Sequence, residues 1–259
     1  FPTRRSSDLW TLDDWKKEID WILKKRLNLF MLRIGLDDLF QKAFPDIVPY
    51  PEDGVPCHPE FERSYNDRTH FWSLEERGKL RKKLLDYAFE RDLIHPEDTG
   101  TISHWYSHAP DAFVDTVRPS FVPQSSSGHT GKNMLVWDIR EDENLDNYFK
   151  LTQAHIDNYG TSQMFHTIGL AERDVSVDKR INHLWKLFAY RRIVERLRKS
   201  YPNSPLLIAS WDFVNNHWTS DQMHELLDTL DPANTILFDY TSDGDNEVNY
   251  FMNWGVYGK

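Results

Sequence analysis

The spacing of apolar residues along the chain predicts helices that alternate with short strands. Apolar residues three and four positions apart are typical of helices with one buried face. Thr11 or Asp13 is the predicted N-cap of the first helix, and the charged stretches Lys79 to Lys83 and Arg191 to Lys199 are typical of solvated helix faces. The predicted inward faces are Leu12, Trp15, Ile19, Ile22 and Leu23; Leu80, Leu84, Tyr87 and Ala88; Leu145, Tyr148, Phe149, Thr152, Ile156 and Tyr159; Ile181, Leu184, Trp185, Phe188, Ile193 and Leu197; and Met223, Leu226, Leu227 and Leu230.

Short apolar runs between these helices predict strands that lie parallel in one sheet. Strands that alternate with helices are typical of parallel sheets with crossover helices. A doubly wound open sheet would also fit, but no strand is followed by the GxGxxG or GxxxxGK[ST] pattern that binds phosphates in such sheets. The predicted strands are Leu27 to Ile34, Leu93 to His104, Asn133 to Trp137, Met164 to Leu170, Pro205 to Ser210 and Thr235 to Phe238.

The favoured fold is therefore a (β/α)8 TIM barrel that is incomplete at its C-terminal end. A full barrel takes about 250 residues. Residues 44–67 are rich in proline and have little periodicity, so they predict a long surface excursion that leaves too little chain for the last strands. Thr3 to Leu9 resembles the translation of a common sequencing adapter. We expect residues 1–9 to be an artefact and residues 10–259 to be a partial domain.

Composition narrows the classes of partner. The chain has 31 basic and 41 acidic side chains, a formal net charge of −10, which disfavours nucleic acid binding. No apolar run approaches the roughly 18 residues of a membrane span. Cys57 is the single cysteine, which excludes a disulfide framework and a thiolate metal cluster. The 10 Trp, 11 Tyr and 15 Phe are a heavy aromatic load. We expect most of them in the core, but surplus Trp at strand ends is typical of sugar-stacking sites. We expect an oligosaccharide substrate and no cofactor, and the sequence gives no oligomeric state.

Glu172 is the candidate catalytic residue. It follows the predicted strand Met164 to Leu170, and catalytic groups of a barrel lie at the carboxyl ends of its strands. A carboxyl group there can act as a general acid if its surroundings keep it protonated. The alternative is a solvated glutamate paired with Arg173 or Arg180.

Five further residues are candidates for substrate binding. Trp211 could stack on a sugar ring or cap the core, and His108 could bond a sugar hydroxyl or a backbone carbonyl in its own turn. Asp37 and Asp239 follow strands, although short polar residues also begin ordinary turns at such positions. Trp105 near a strand end is the weakest of the five candidates.

A metal-dependent barrel hydrolase is an alternative, because the chain contains 11 His and many carboxylates. However, no H-x-H or H-E-x-x-H pattern occurs, and scattered histidines are usually surface residues or hydrogen-bonded core residues. We therefore expect no metal ligands in this chain.

Several short motifs resemble one enzyme family. The stretch DDWKKEIDW followed by LNL, from Asp13 to Leu29, resembles the first helix and strand of the α-N-acetylglucosaminidases, glycoside hydrolase family 89, whose pattern is W-E-x-x-I-D-W-M and then G-x-N-L. The HAPDA turn at residues 108–112 is similar to that family's H-V-P-E-A turn. Gly160-Thr161 and Glu172 keep the spacing between its F-G-T and the Glu of its F-N-E.

The resemblance implies a retaining glycosidase for terminal α-linked amino-sugars or related sugars. Glu172 would be the acid/base, the nucleophile would be a Glu on a later strand beyond Lys259, and the compartment would be secreted, periplasmic or lysosomal. Two departures stand out: Ala171 replaces the family's Asn, and Asp37-Asp38 lies near its Gln-Glu. The change at Ala171 favours a second alternative, a barrel that binds glycans without catalysis.

Overall fold

The computed structural model describes residues 10–32, 38–51, 73–98, 109–122, 136–161, 163–167, 175–209, 213 and 218–238. The chain groups into two compact units. Unit 1 comprises Phe1–Glu97, Pro110–Arg118 and Lys150–Ser162, and unit 2 comprises Asp98–Ala109, Pro119–Phe149 and Gln163–Lys259.

The described part of unit 1 contains four complete helices: α1 (Leu12–Lys24), α2 (Leu39–Ala43), α3 (Leu74–Phe89) and α4 (Asp111–Val117). Thr11 caps α1, since its hydroxyl accepts the Asp14 N–H while the Asp14 carboxylate reaches back to the Thr11 N–H. Ser73 caps α3 by accepting the Glu76 N–H. Leu29 and Ile94, which lie in two of the predicted strands, form a parallel bridge.

The buried side of α3 differs from the prediction. Leu84 and Ala88 are buried as expected, but Arg77, Gly78 and Arg81 share that side with them. The expectation of a solvated face from Lys79 to Lys83 is therefore wrong at Arg81, which is 0% exposed. A charged side chain is buried only where other groups compensate its charge.

The described part of unit 2 contains most of the sheet and two complete helices, α6 (Lys179–Ser200) and α7 (Ser220–Leu227), with a 3-10 turn at Pro232–Asn234. Helix α5 (Asp142–Asn158) begins in unit 2 and ends in unit 1. In α6 the predicted face is wrong in its first half, because Ile181 and Leu184 are 52% and 53% exposed. The buried side of that half carries Asn182, His183 and Lys186 instead.

Among the described residues, four strands form one sheet in the order β1 (Glu97–Asp98), β4 (Phe165–Thr167), β5 (Leu206–Ala209) and β6 (Thr235–Phe238). The pairs β4–β5 and β5–β6 are parallel. All residues of β4 and β5 are buried, as expected for strands covered on both faces.

The described part of the predicted strand Asn133 to Trp137 does not join the parallel sheet. Its described part is β3 (Val136–Trp137), which pairs antiparallel with β2 (Phe121–Val122) in a separate sheet of two strands. The structure is thus mixed α/β with a parallel sheet, and no closed barrel is seen among the described residues.

Candidate functional site

The carboxyl ends of β4, β5 and β6 lie side by side. Thr167 pairs with Ile208, and Ala209 pairs with Phe238, so the last residues of the three strands are nearly level. Neighbouring strands in a sheet are about 4.8 Å apart. Groups that project from these ends would therefore begin within about 10 Å of each other across the three strands.

The sequence places three candidate residues directly after these ends. Asp239 is the next residue after Phe238, Trp211 is the second residue after Ala209, and Glu172 is the fifth residue after Thr167. The side chains themselves lie outside the described residues, as do the other candidates, Asp37, Trp105 and His108. Their roles therefore remain predictions.

The chain beyond Glu172 is fixed to α6. The side-chain oxygen of Asn182 accepts the backbone N–H of Val175 at 2.7 Å and of Ser176 at 3.1 Å. Asp178 caps α6 by accepting the Arg180 N–H at 2.8 Å. Residues 168–174 are thus bounded by β4 on one side and by an anchored helix start on the other.

The connection after β5 is anchored by aromatic packing. Phe213 and Trp218 are buried and meet edge to face, with ring centres 5.2 Å apart. Trp218 also meets the His183 ring at 5.0 Å, and Nε2 of His183 lies 3.0 Å from the Glu225 carboxylate. In the sequence, Trp211 is two residues from each of Ala209 and Phe213, which are both buried.

Unit 1 holds a buried carboxylate that was not among the candidates predicted from the sequence. Asp38 is 1% exposed, and it accepts hydrogen bonds from the Tyr159 hydroxyl at 2.8 Å and the Tyr50 hydroxyl at 3.0 Å. The Lys42 ammonium lies 3.6 Å away. Burial raises the pKa of Asp38, although the two phenols and Lys42 act in the opposite direction. The same burial and the Asp38 charge raise the pKa of Tyr159 and Tyr50.

A second buried carboxylate, Glu97, binds the backbone just after α5. Its Oε1 accepts the Thr161 N–H at 2.7 Å, and its Oε2 contacts Nδ1 of His155. The other ring nitrogen of His155 lies 2.8 Å from the Arg81 guanidinium. Glu97, His155 and Arg81 are all almost fully buried.

The sequence carries only an indirect signal for these two carboxylates. Asp38 follows Asp37, which is a candidate because of its position after a strand, and Gly160-Thr161 has the family's spacing to Glu172. Neither pattern identifies a buried partner, because the partners come from distant parts of the chain.

The described residues offer no signal for a metal ion or a membrane. Within them, no three His, Cys, Asp or Glu side chains are grouped closely enough to hold a metal ion. No helix among them is both long and apolar enough to cross a membrane.

The sequence matches no family model and no curated protein. Solved structures of a family 89 glycoside hydrolase from Clostridium perfringens do match the fold. The complex with PUGNAc has a TM-score of 0.62 at 11% identity, over 90% of this chain and 26% of that chain. The complex with 2-acetamido-1,2-dideoxynojirmycin has a TM-score of 0.62 at 12% identity, over 90% of this chain and 26% of that chain.

A double variant of the same enzyme, in complex with its substrate GlcNAc-alpha-1,4-galactose, has a TM-score of 0.58 at 12% identity. The match covers 89% of this chain and 26% of that chain. This chain therefore has the fold of part of a family 89 glycoside hydrolase and spans about a quarter of that enzyme. The resemblance in the sequence is confirmed at the level of the fold.

Proposed function

We propose that this chain is part of a glycoside hydrolase that cleaves terminal α-linked amino-sugars or related sugars. Its strands belong to a (β/α)8 barrel, and residues 10–259 form part of that domain. Glu172 is the general acid, and Trp211, His108, Asp239, Asp37 and Trp105 contact the glycan.

The parallel carboxyl ends of β4, β5 and β6 carry the proposal. They form one level edge in a fold shared with a glycosidase, and Glu172, Trp211 and Asp239 follow them within five residues. In barrel enzymes, this edge is where substrate binds and where catalytic groups project. The shared edge supports a common site for the three residues.

The chemistry is double displacement at the anomeric carbon. Glu172 donates a proton to the leaving oxygen while a second carboxylate attacks the anomeric carbon, and water then releases the sugar with Glu172 acting as base. Retaining enzymes hold the two carboxyl groups about 5–5.5 Å apart. The second carboxylate is contributed by a strand that residues 10–259 do not include.

The glycan-binding barrel without catalysis is the second candidate, and Ala171 favours it. Asparagine beside the acid could donate a hydrogen bond to the sugar, and alanine cannot. A Glu at the tip of the next strand in a longer reading frame would support the enzyme, and another residue there would support the binding protein.

Calorimetry with the iminosugar 2-acetamido-1,2-dideoxynojirmycin tests the site. Its basic nitrogen replaces the ring oxygen, next to the reacting carbon, so the protonated ring should attract the carboxylates that surround that carbon. We expect the chain to bind it, and we expect Glu172→Gln to weaken binding about tenfold, since a charged hydrogen bond contributes about 1.5–3 kcal/mol. The exposed Glu143 on α5 supplies the control, because Glu143→Gln makes the same charge change. No binding by the unmodified chain would contradict the proposed function.

A further inference from the structure

The hydrogen bonds of His155 define its tautomer. Arginine has only N–H donors, so Nε2 of His155, 2.8 Å from Arg81 Nη2, must accept a hydrogen bond. The proton of the neutral ring is therefore on Nδ1, which donates it to Glu97 Oε2. The ring is neutral and links a buried cation to a buried anion, so both charges are compensated.

The cation is fixed in turn. Arg81 Nη1 donates to the Leu32 carbonyl at 2.6 Å, and the His95 ring lies beside both groups, 3.4 Å from Arg81 Nη2 and 3.3 Å from the Leu32 oxygen. The Leu32 carbonyl thus sets the position of the Arg81 guanidinium. The guanidinium in turn orients the His155 ring through Nε2. Because the His155 ring contacts Arg81 with one nitrogen and Glu97 with the other, and has one allowed tautomer, the fixed position of Arg81 also restricts the position of the Glu97 carboxylate.

Glu97 uses its remaining oxygen to bind the chain after α5. Oε1 accepts the Thr161 N–H at 2.7 Å. A side chain at position 160 would block this contact, because a Cβ on Gly160 would overlap the carboxyl group of Glu97. Gly160 is therefore required for the carboxylate to reach the backbone.

Thr161 lies four residues before Phe165, the first residue of β4. This strand is only three residues long, and its start is also fixed by a hydrogen bond from the Phe165 N–H to the Pro205 carbonyl at 2.9 Å. A strand this short has few ladder bonds of its own to set its register. The contacts just before β4 therefore matter for the position of the segment after it.

We infer that Glu97, held by His155 and Arg81, is a positioning residue for the segment that leads through β4 to Glu172. This inference rests on the proposed function for the role of Glu172. Glu97 does not touch substrate, since it is 0% exposed. It acts through the Thr161 backbone.

Two pairs of variants separate positioning from general stability. Glu97→Gln leaves one acceptor oxygen for two donors, the His155 Nδ1–H and the Thr161 N–H, so one of the two hydrogen bonds is lost. Glu90→Gln is the matched control, because the Glu90 side chain is 74% exposed. His155→Asn keeps a side-chain N–H close to the position of Nδ1, whereas His155→Leu has no donor. Amide hydrogen exchange of residues 161–167 is measured together with binding of 2-acetamido-1,2-dideoxynojirmycin and with the exchange of α7 as an internal reference.

We expect Glu97→Gln and His155→Leu to speed exchange at residues 161–167 about tenfold, with α7 unchanged, and to weaken iminosugar binding. Compared with His155→Leu, His155→Asn should keep most of the slow exchange at residues 161–167 and most of the iminosugar binding. Glu90→Gln should match the unmodified chain in both measurements. In nitrogen NMR of the unmodified chain, His155 should show a protonated Nδ1 and an unprotonated Nε2.

The inference is overturned if Glu97→Gln leaves exchange at residues 161–167 unchanged. It is also overturned if exchange rises while iminosugar binding stays within twofold, because Glu97 would then act on the backbone without affecting the site. If Glu97→Gln does not fold, the two His155 variants test the inference. Equal exchange at residues 161–167 and equal iminosugar binding in His155→Asn and His155→Leu would contradict it. Failure of the unmodified chain to bind is a separate result, which contradicts the proposed function before any variant is compared.

Discussion

Gly78 lies within α3, where glycine usually costs a helix about 1 kcal/mol relative to alanine. Propensity alone therefore predicts that Gly78→Ala stabilises the protein. However, a Cβ here would overlap the Asp38 carboxylate and come within 2.6 Å of the Tyr159 hydroxyl. We expect the overlap to dominate, so that Gly78→Ala lowers the free energy of unfolding by about 1–3 kcal/mol in urea denaturation.

The sign should reverse when the overlap is removed. In a background with Asp38→Ala and Tyr159→Phe, the added Cβ no longer meets polar atoms, so Gly78→Ala should be neutral or stabilising. Stabilisation in the unmodified background would show that the Asp38 carboxylate does not approach α3 closely enough to exclude a methyl group.

His155 should make stability depend on pH. Burial, followed by the positive charge of Arg81, lowers the pKa of His155, although Glu97 acts in the opposite direction. In the unfolded chain the ring takes up a proton below about pH 6.5, while the folded ring takes it up only at a lower pH. The unfolded state then binds more protons, so stability is lost as the pH falls below about 6.5, by at most about 1.4 kcal/mol per pH unit for one group.

Urea denaturation at pH 8, 7, 6 and 5 should therefore show a steeper loss for the unmodified chain than for His155→Asn. The difference between the two slopes isolates the ring, because the other titrating groups are common to both. Parallel slopes for the unmodified chain and His155→Asn would mean that His155 titrates normally in the folded state.

At the scale of the elements, α6 offers a test of which side faces the core. Ile193 is buried, so Ile193→Ala should lower the free energy of unfolding by about 2–5 kcal/mol. Leu184 is largely exposed, so Leu184→Ala should change it by no more than about 0.5 kcal/mol. Thermal and urea denaturation measure both, and a larger loss at Leu184 than at Ile193 would restore the face predicted from the sequence.

The helices could be predicted from the sequence because their periodicity and their caps are local. Thr11 shows this, since the hydroxyl and the Asp14 N–H that it binds are three residues apart. The orientation of α6 could not be predicted in the same way. The rule that apolar residues face the core fails in α6, where His183 and Lys186 are buried. A polar side chain can be buried only where other groups offset its loss of water, and those groups come from distant parts of the chain.

The pairing partners of strands and of buried charges also come from distant parts of the sequence, so a local pattern does not predict them. Val136 and Trp137 form a strand, as predicted, but their antiparallel pairing with Phe121 and Val122 depends on a segment that is not periodic. Glu97 lies in a predicted strand, yet its link to His155 spans 58 positions of the sequence. Glu172, Trp211 and Asp239 could be selected because their signal, a position just after a strand, is local.

At the scale of the whole molecule, the chain should bind sugar weakly and not hydrolyse it. Retention requires two carboxylates, and only Glu172 is assigned among these residues. Isothermal calorimetry should show weak iminosugar binding, and an aryl α-N-acetylglucosaminide should release no phenol above the rate with Glu172→Gln. Clear turnover by residues 10–259 would instead place the nucleophile within this chain, at Asp239, Asp243 or Glu247.

In a longer protein that supplies the nucleophile, Glu172→Gln should lower the rate by about 10²–10⁴, the usual contribution of a general acid. Binding should change much less than turnover. Aryl glycosides whose leaving groups need no proton should be affected least, and an equal loss for all leaving groups would argue against Glu172 as the acid.

The contact between Glu97 and Gly160 also restricts the order in which these two positions can change during evolution. While Glu97 is present, any side chain at position 160 displaces its carboxyl group, so a substitution of Gly160 alone is selected against. Once Glu97 has been replaced by a smaller residue, position 160 becomes free to vary. Lineages descended from this sequence should therefore lose the glutamate before they lose the glycine, and reconstructed ancestors could reveal that order.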